Sequence, residues 1–170
     1  IEDCAHAQGA SYNNKKPGSW GDAGIYSLYA TKTISTGEGG ILVSKNKDLI
    51  DFSKSFKNYG KPGNKIIGKN YRMSEFSAAL GCIQIDRLKD MVEWKNEKIS
   101  KEIKNYTNYL KLPDGMISGC YKFIVFDKIN NSTGKVYDVG CHKIFKENVK
   151  LENTDWVNNN HWCVPIYYKG

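Results

Sequence analysis

Apolar and polar positions along the chain predict a regular α/β start and a looser finish. Residues 23–27 (Ala-Gly-Ile-Tyr-Ser) are a small, apolar, β-prone run of the kind that makes a buried strand. Residues 40–44 (Gly-Ile-Leu-Val-Ser) predict a second strand, closed by the turn-forming Lys45-Asn46-Lys47-Asp48. Ile1 reads as the tail of a further buried strand that ends at Asp3. Over residues 48–56, Leu49, Ile50, Phe52 and Phe56 fall near helical spacing, and residues 59–64 (Tyr-Gly-Lys-Pro-Gly-Asn) make a loop. Ser74 is placed to cap a long helix whose apolar face runs through Phe76, Leu80, Ile83, Leu88, Met91 and Trp94 to about Asn96. A separate, polar-rich helix is predicted over residues 97–110, broken by Leu112-Pro113-Asp114-Gly115. Residues 121–126 then alternate like an antiparallel strand, and residues 130–134 form a turn.

The change of character near residue 95 predicts two domains: part of a larger α/β domain over residues 1–95 and a smaller α+β domain over residues 96–170. Both ends read as cut, so the chain is expected to belong to a longer protein. With 40% hydrophobic and 12% aromatic residues it has the composition of a globular protein rather than a disordered one. No apolar run approaches the roughly 20 residues of a membrane-spanning helix, which predicts no membrane partner. The net charge of +7 raises the question of nucleic acid, but the lysines are dispersed among asparagines and isoleucines. No nucleic-acid partner is therefore expected. The five cysteines are odd in number and irregular in spacing, which predicts reduced thiols in a cytoplasmic protein rather than a secreted disulfide framework. Cys141-His142 and His161-x-Cys163 could suggest zinc, yet neighbours on an extended segment point to opposite faces, so no metal site is expected.

Candidate chemistry gathers near the start. Asp3 falls where the first strand ends and Ser27 where the next one ends. Lys32 follows five residues later, on a loop entering Gly37-Glu38-Gly39-Gly40. A carboxylate, a hydroxyl and an amine then stand at the carboxyl ends of strands, where open α/β sheets bind ligands. Spacing alone does not say which ligand. The blocks themselves do more. Ile1-Glu2-Asp3-Cys4-Ala5-His6-Ala7-Gln8-Gly9-Ala10, Gly18-Ser19-Trp20-Gly21-Asp22-Ala23-Gly24, Ser27-Leu28-Tyr29-Ala30-Thr31-Lys32 and Thr36-Gly37-Glu38-Gly39-Gly40 occur in that order. With Gly68-Lys69-Asn70-Tyr71-Arg72-Met73-Ser74-Glu75 they resemble successive blocks of the DegT/DnrJ/EryC1/StrS aminotransferases. His161-Trp162-Cys163-Val164-Pro165-Ile166-Tyr167 looks, more loosely, like a segment of that family's small domain.

The resemblance implies the α/β fold of PLP-dependent aminotransferases of fold type I, with pyridoxal 5′-phosphate (PLP) as cofactor. It implies that Lys32 forms the Schiff base with the cofactor and afterwards acts as the proton-shuttling base. Asp3 would pair with the pyridinium nitrogen, His6 would lie near the phenolic oxygen, and Ser27 would bind the phosphate. Asn70 would reach the phosphate of a neighbouring subunit, because the family's sites lie across a homodimer interface. Arg72 is a candidate for an anionic group of the amino donor or sugar nucleotide. The implied reaction moves an amino group from glutamate to the keto-sugar of a nucleoside-diphosphate sugar. Family dehydratases replace the lysine with histidine, so the intact Lys32 favours transamination over dehydration or a non-catalytic binding role.

Overall fold

The computed structural model describes residues 1–168; residues 169 and 170, the end of the smaller domain expected from the sequence, lie outside the described residues. The chain divides into two interleaved units. The first holds Ile1–Val92 and then takes back Asp114–Tyr121; the second holds Glu93–Pro113 and the chain from Lys122 onward.

In the first unit, β1 (Glu2–Asp3) pairs in parallel with β3 (Gly24–Ser27), which pairs antiparallel with β4 (Gly40–Val43). The register sets Asp3 beside Ile25 and Ser27 opposite Gly40. The short β2 (Ser11–Tyr12) stands apart from this sheet. β3 starts one residue later than expected, at a glycine that packing demands. A Cβ on Gly24 would lie 2.5 Å from Gly18 Cα and 3.2 Å from the buried Cys4 Sγ. Helix α1 (Lys47–Phe56) begins one residue early because Asn46, not Asp48, closes its open end: Asn46 Oδ1 accepts the Leu49 N–H at 3.2 Å. Helix α1 and the sheet leave an apolar groove between them, lined by Ile25, Leu42, Ile50, Phe56, Tyr71 and Met73.

Helix α2 (Glu75–Glu102) starts where expected and differs from expectation in where it ends. Ser74 does cap it, its Oγ accepting the Ser77 N–H at 3.1 Å. The break expected at residues 96 and 97 is absent, and one helix of 28 residues runs through. The sequence Lys95-Asn96-Glu97-Lys98 holds no proline or glycine, and its lysines and glutamate favour helix. The apolar period changes there because the helix passes from one unit to the other, not because the helix stops. Its apolar face is also unevenly used: Met91 and Val92 are buried, whereas Phe76 is 91% exposed. After Pro113 the chain returns to the first unit as β5 (Met116–Ile117), antiparallel to β2 with Ser11 opposite Ile117 and Tyr12 opposite Met116.

The second unit is built on β6 (Phe123–Val125), shorter than the predicted 121–126, followed by α3 (Cys141–Ile144), α4 (Glu152–Asn160) and β7 (Trp162–Val164). β7 pairs antiparallel with β6, setting Phe123 opposite Val164 and Val125 opposite Trp162. Phe123, Val125 and Val164 form its buried core, with Ile99, Ile103 and Tyr106 packed against them. His161 is structural: buried, its Nε2 accepts the Val136 N–H at 2.9 Å while Nδ1 lies 2.7 Å from Val157 O, a pairing that fixes the Nδ1–H tautomer. Residues 141–144 are helical rather than extended, yet Cys141 is exposed and His142 buried. Among the described residues no group of three or more His, Cys, Asp or Glu side chains could hold a metal ion.

The first strand is clamped by its own first acidic residue. The Glu2 carboxylate accepts N–H groups of Gly18 at 2.8 Å, Trp20 at 2.7 Å and Gly21 at 2.6 Å. These bonds, the one from Gly21 foremost, hold its carboxyl below the ordinary value of 4.5. A depressed carboxyl adds stability that is present above the ordinary value and lost as pH falls through the folded-state value. In the whole protein carrying this chain, Glu2→Gln should lower the thermal midpoint at pH 7, with the deficit closing as pH falls well below 4.5; an equal deficit at pH 3 would contradict the clamp. Phe123→Ala should cost about 3–5 kcal/mol in urea unfolding, against less than about 0.5 kcal/mol for Ile67→Ala, since Phe123 is 5% and Ile67 96% exposed.

Candidate active site

The parallel pairing of β1 with β3 brings two strand ends together at one edge of the sheet. Asp3 is exposed there, its Oδ1 accepting the Ala5 N–H at 2.9 Å, so the carboxylate itself shapes the turn that leads to His6. Ser27 ends β3 half-buried, with its hydroxyl accepting the Tyr29 N–H at 3.2 Å. The loop beyond is closed at its base: Leu28 N–H donates to Gly39 O at 2.9 Å and Thr36 N–H to Leu28 O at 3.0 Å. Lys32 stands within this loop, half-buried, its backbone N–H bonded to Tyr29 O at 3.0 Å.

Two residues that carry this arrangement were not among those singled out from the sequence. Gln8 is buried, and its Nε2 donates to the Ser27 carbonyl, which fixes the end of β3. Tyr121 reaches the site from 90 residues beyond Thr31, whose Oγ1 lies 3.3 Å from the Tyr121 hydroxyl. The His6 imidazole stacks on the Tyr121 ring at 4.0 Å between centroids and 26° between planes. The Lys32 Nζ stands 5.0 Å from the centroid of the same ring, within cation–π range. His6, Thr31 and Lys32 thus meet on one phenol. For Gln8 the local signal is only a polar residue in a turn; for Tyr121 there is none short of the fold.

The segment bearing Tyr121 is held tightly. Thr33 Oγ1 donates to Gly119 O at 3.0 Å in a buried hydrogen bond. Gly119 is required there, because a Cβ would come within 2.3 Å of Gln8 O. Cys120, buried, takes φ 53°, a left-handed conformation costly for a side chain of this kind, and its N–H bonds to Ser118 Oγ at 2.9 Å.

Asn70 and Arg72 lie in a second cluster. Asn70 Oδ1 accepts the Arg72 N–H at 3.4 Å, Arg72 Nη1 donates to Asn58 Oδ1 at 2.7 Å, and its guanidinium lies 5.3 Å from the Tyr59 ring centroid. Both side chains are exposed, and these contacts tie them to this loop.

The donor set at the strand ends is an amine, a carboxylate, an imidazole and a hydroxyl, with Asp3 and His6 open to solvent and Lys32 partly so. That set suits a ligand joining an aldehyde, a protonated ring nitrogen and a phosphate, and pyridoxal phosphate is such a ligand. The residues present therefore fit the cofactor.

Comparison with known proteins agrees in kind. Residues 1–114 match the family described as the DegT/DnrJ/EryC1/StrS aminotransferase family. The chain is 37% identical over 117 residues to the GDP-perosamine synthase of Escherichia coli O157:H7, covering 66% of this chain and 32% of that protein. It is 35% identical to the UDP-4-amino-4,6-dideoxy-N-acetyl-beta-L-altrosamine transaminase of Campylobacter jejuni serotype O:2, covering 98% of this chain and 53% of that protein. The chain thus matches from about a third to about half of these relatives' length. Among solved structures, a DegT DnrJ EryC1 StrS aminotransferase from Brucella abortus superposes with TM-score 0.85 over 97% of this chain and 51% of its own, at 20% identity. A neighbour from Streptococcus pneumoniae was solved in both PLP and PMP forms. The match over residues 1–114 carries the conclusion: the chain belongs to the DegT/DnrJ/EryC1/StrS aminotransferase family.

Proposed function

We propose that the protein carrying this chain is a pyridoxal-phosphate-dependent aminotransferase acting on a nucleoside-diphosphate keto-sugar, with glutamate as amino donor. The observation that carries this reading is the meeting of Lys32 and His6 on Tyr121 beside the parallel strand ends that bear Asp3 and Ser27. Pyridoxal phosphate, when bound, supplies the aldehyde and the electron-accepting ring that amino-group transfer needs. Lys32 is the amine that holds the cofactor and then moves the proton in the transfer step. Asp3 accepts the ring N–H, keeping that nitrogen protonated. His6 orients the ring through its phenolic oxygen, and the Ser27 hydroxyl donates to the phosphate. Asn70 serves the phosphate of a second subunit in a homodimer, and Arg72 offers a bidentate donor to an anionic group of either substrate.

Relatives named for GDP- and UDP-linked sugars support the substrate class. The retained Lys32 favours amino transfer over dehydration. No described helix is long and apolar enough to cross a membrane, and none of the five cysteines is paired in a disulfide; both fit a cytoplasmic enzyme.

The test uses the whole protein. Adding pyridoxal phosphate should give a visible absorbance band that glutamate bleaches. Lys32→Ala should abolish the band and reduce turnover by a factor of at least about 100. A band of wild-type strength in Lys32→Ala would sink the assignment of the lysine, and no band in wild type would sink the cofactor.

A further inference from the structure

Three contacts converge on Tyr121, a residue that no step of the proposed reaction uses. Its hydroxyl faces Thr31, its ring stacks on His6, and the Lys32 ammonium lies over it. The backbone behind it is built with unusual care. Gly119 is locked against the Gln8 carbonyl and bonded to Thr33, and Cys120 is kept buried at positive φ. A left-handed conformation at a residue with a side chain persists where the surroundings over-determine it, and such positions gather at functional sites. The strained turn thus ends in an aromatic ring shared by two candidate site residues.

We infer that Tyr121 is a positioning residue for the site, its ring fixing the Lys32 amine and the His6 imidazole relative to each other before any ligand arrives. This rests on the reading of Lys32 and His6 as site residues. A lysine carries a flexible four-carbon stem with many rotamers to lose, so an unrestrained amine would meet its target in a small fraction of its conformations. A ring beneath the ammonium narrows that distribution. The stacked His6 is restrained from the same surface, so a single side chain sets the spacing of both groups. The ring does this work, and the hydroxyl lies near Thr31 at the far end of the side chain.

Two measurements on the whole protein without cofactor test this. The first is the rate at which Lys32 reacts with an acetylating reagent, resolved from the other lysines by peptide mass spectrometry. Tyr121→Leu should raise that rate roughly two- to fivefold relative to the other lysines, the range set by an exposed cation–π contact. Tyr121→Phe, which keeps the ring, should stay near wild type. The second measurement is read on wild type: the His6 ring protons, assigned by comparison with His6→Gln, should appear upfield of their unstacked position in the proton spectrum. That displacement should survive Tyr121→Phe. Unchanged Lys32 labelling in a folded Tyr121→Leu protein would overturn the inference, as would an unshifted His6 resonance in wild type. A Phe variant as perturbed as the Leu variant would overturn the role given to the ring. Since neither readout uses pyridoxal phosphate, failure of the cofactor reading would show separately, in the visible band.

Discussion

The buried hydrogen bond from Thr33 to the Gly119 carbonyl joins two stretches of chain that have no local reason to meet. The segment that brings Tyr121 to His6, Thr31 and Lys32 is held by it. One stretch is the closed loop that carries Lys32; the other is a short segment that comes back after the chain has run the length of α2 and through Glu93–Pro113. A neutral hydrogen bond of this sort adds only about 0.5–1.5 kcal/mol net, but leaving either buried partner unsatisfied costs about 1–3 kcal/mol. The asymmetry makes it a better specifier of position than a source of stability. The antiparallel pairing of β2 with β5 and the bond from Asn13 N–H to Gly115 O at 2.9 Å support the same return from its other end.

Within the first unit, neighbouring charges do different work according to what surrounds them. Glu2 and Asp3 are adjacent carboxylates on one short strand, and alternation along the strand sends them to opposite faces. Glu2 is used up in holding the loop at Gly18, Trp20 and Gly21. Asp3 spends one oxygen on the Ala5 N–H and stands exposed at the strand end. The structural carboxylate and the candidate functional one are thus separated by a single peptide unit.

Much of this was legible in the sequence because it is local. The strands at residues 23–27 and 40–44, the Ser74 cap and the loop carrying Lys32 follow from side-chain alternation, capping chemistry and glycine placement, and each lies within a residue or so of its expected position. The family was legible through ordered blocks of the first half. What escaped is what depends on distant chain. β7 exists because Phe123 and Val125 need a partner, and its own three residues give little signal. The continuation of α2 past Asn96 was misread because a change of apolar period looks the same whether a helix ends or merely changes neighbours. Gln8 and Tyr121 matter through contacts made 19 and 90 residues away, and no periodicity encodes such contacts.

The interleaved order of the two units has a consequence for synthesis on the ribosome. Strands β1, β3 and β4, the Lys32 loop and α1 all emerge before Val92, yet the partner for Thr33 and the ring beneath Lys32 lie about 30 residues further on. At roughly 5–20 residues per second, that is a delay of a few seconds. During it the carboxylate, the imidazole and the amine are already in the nascent chain but have nothing to rest on. The site is therefore the last part of the first unit to be completed, although most of its residues are made first.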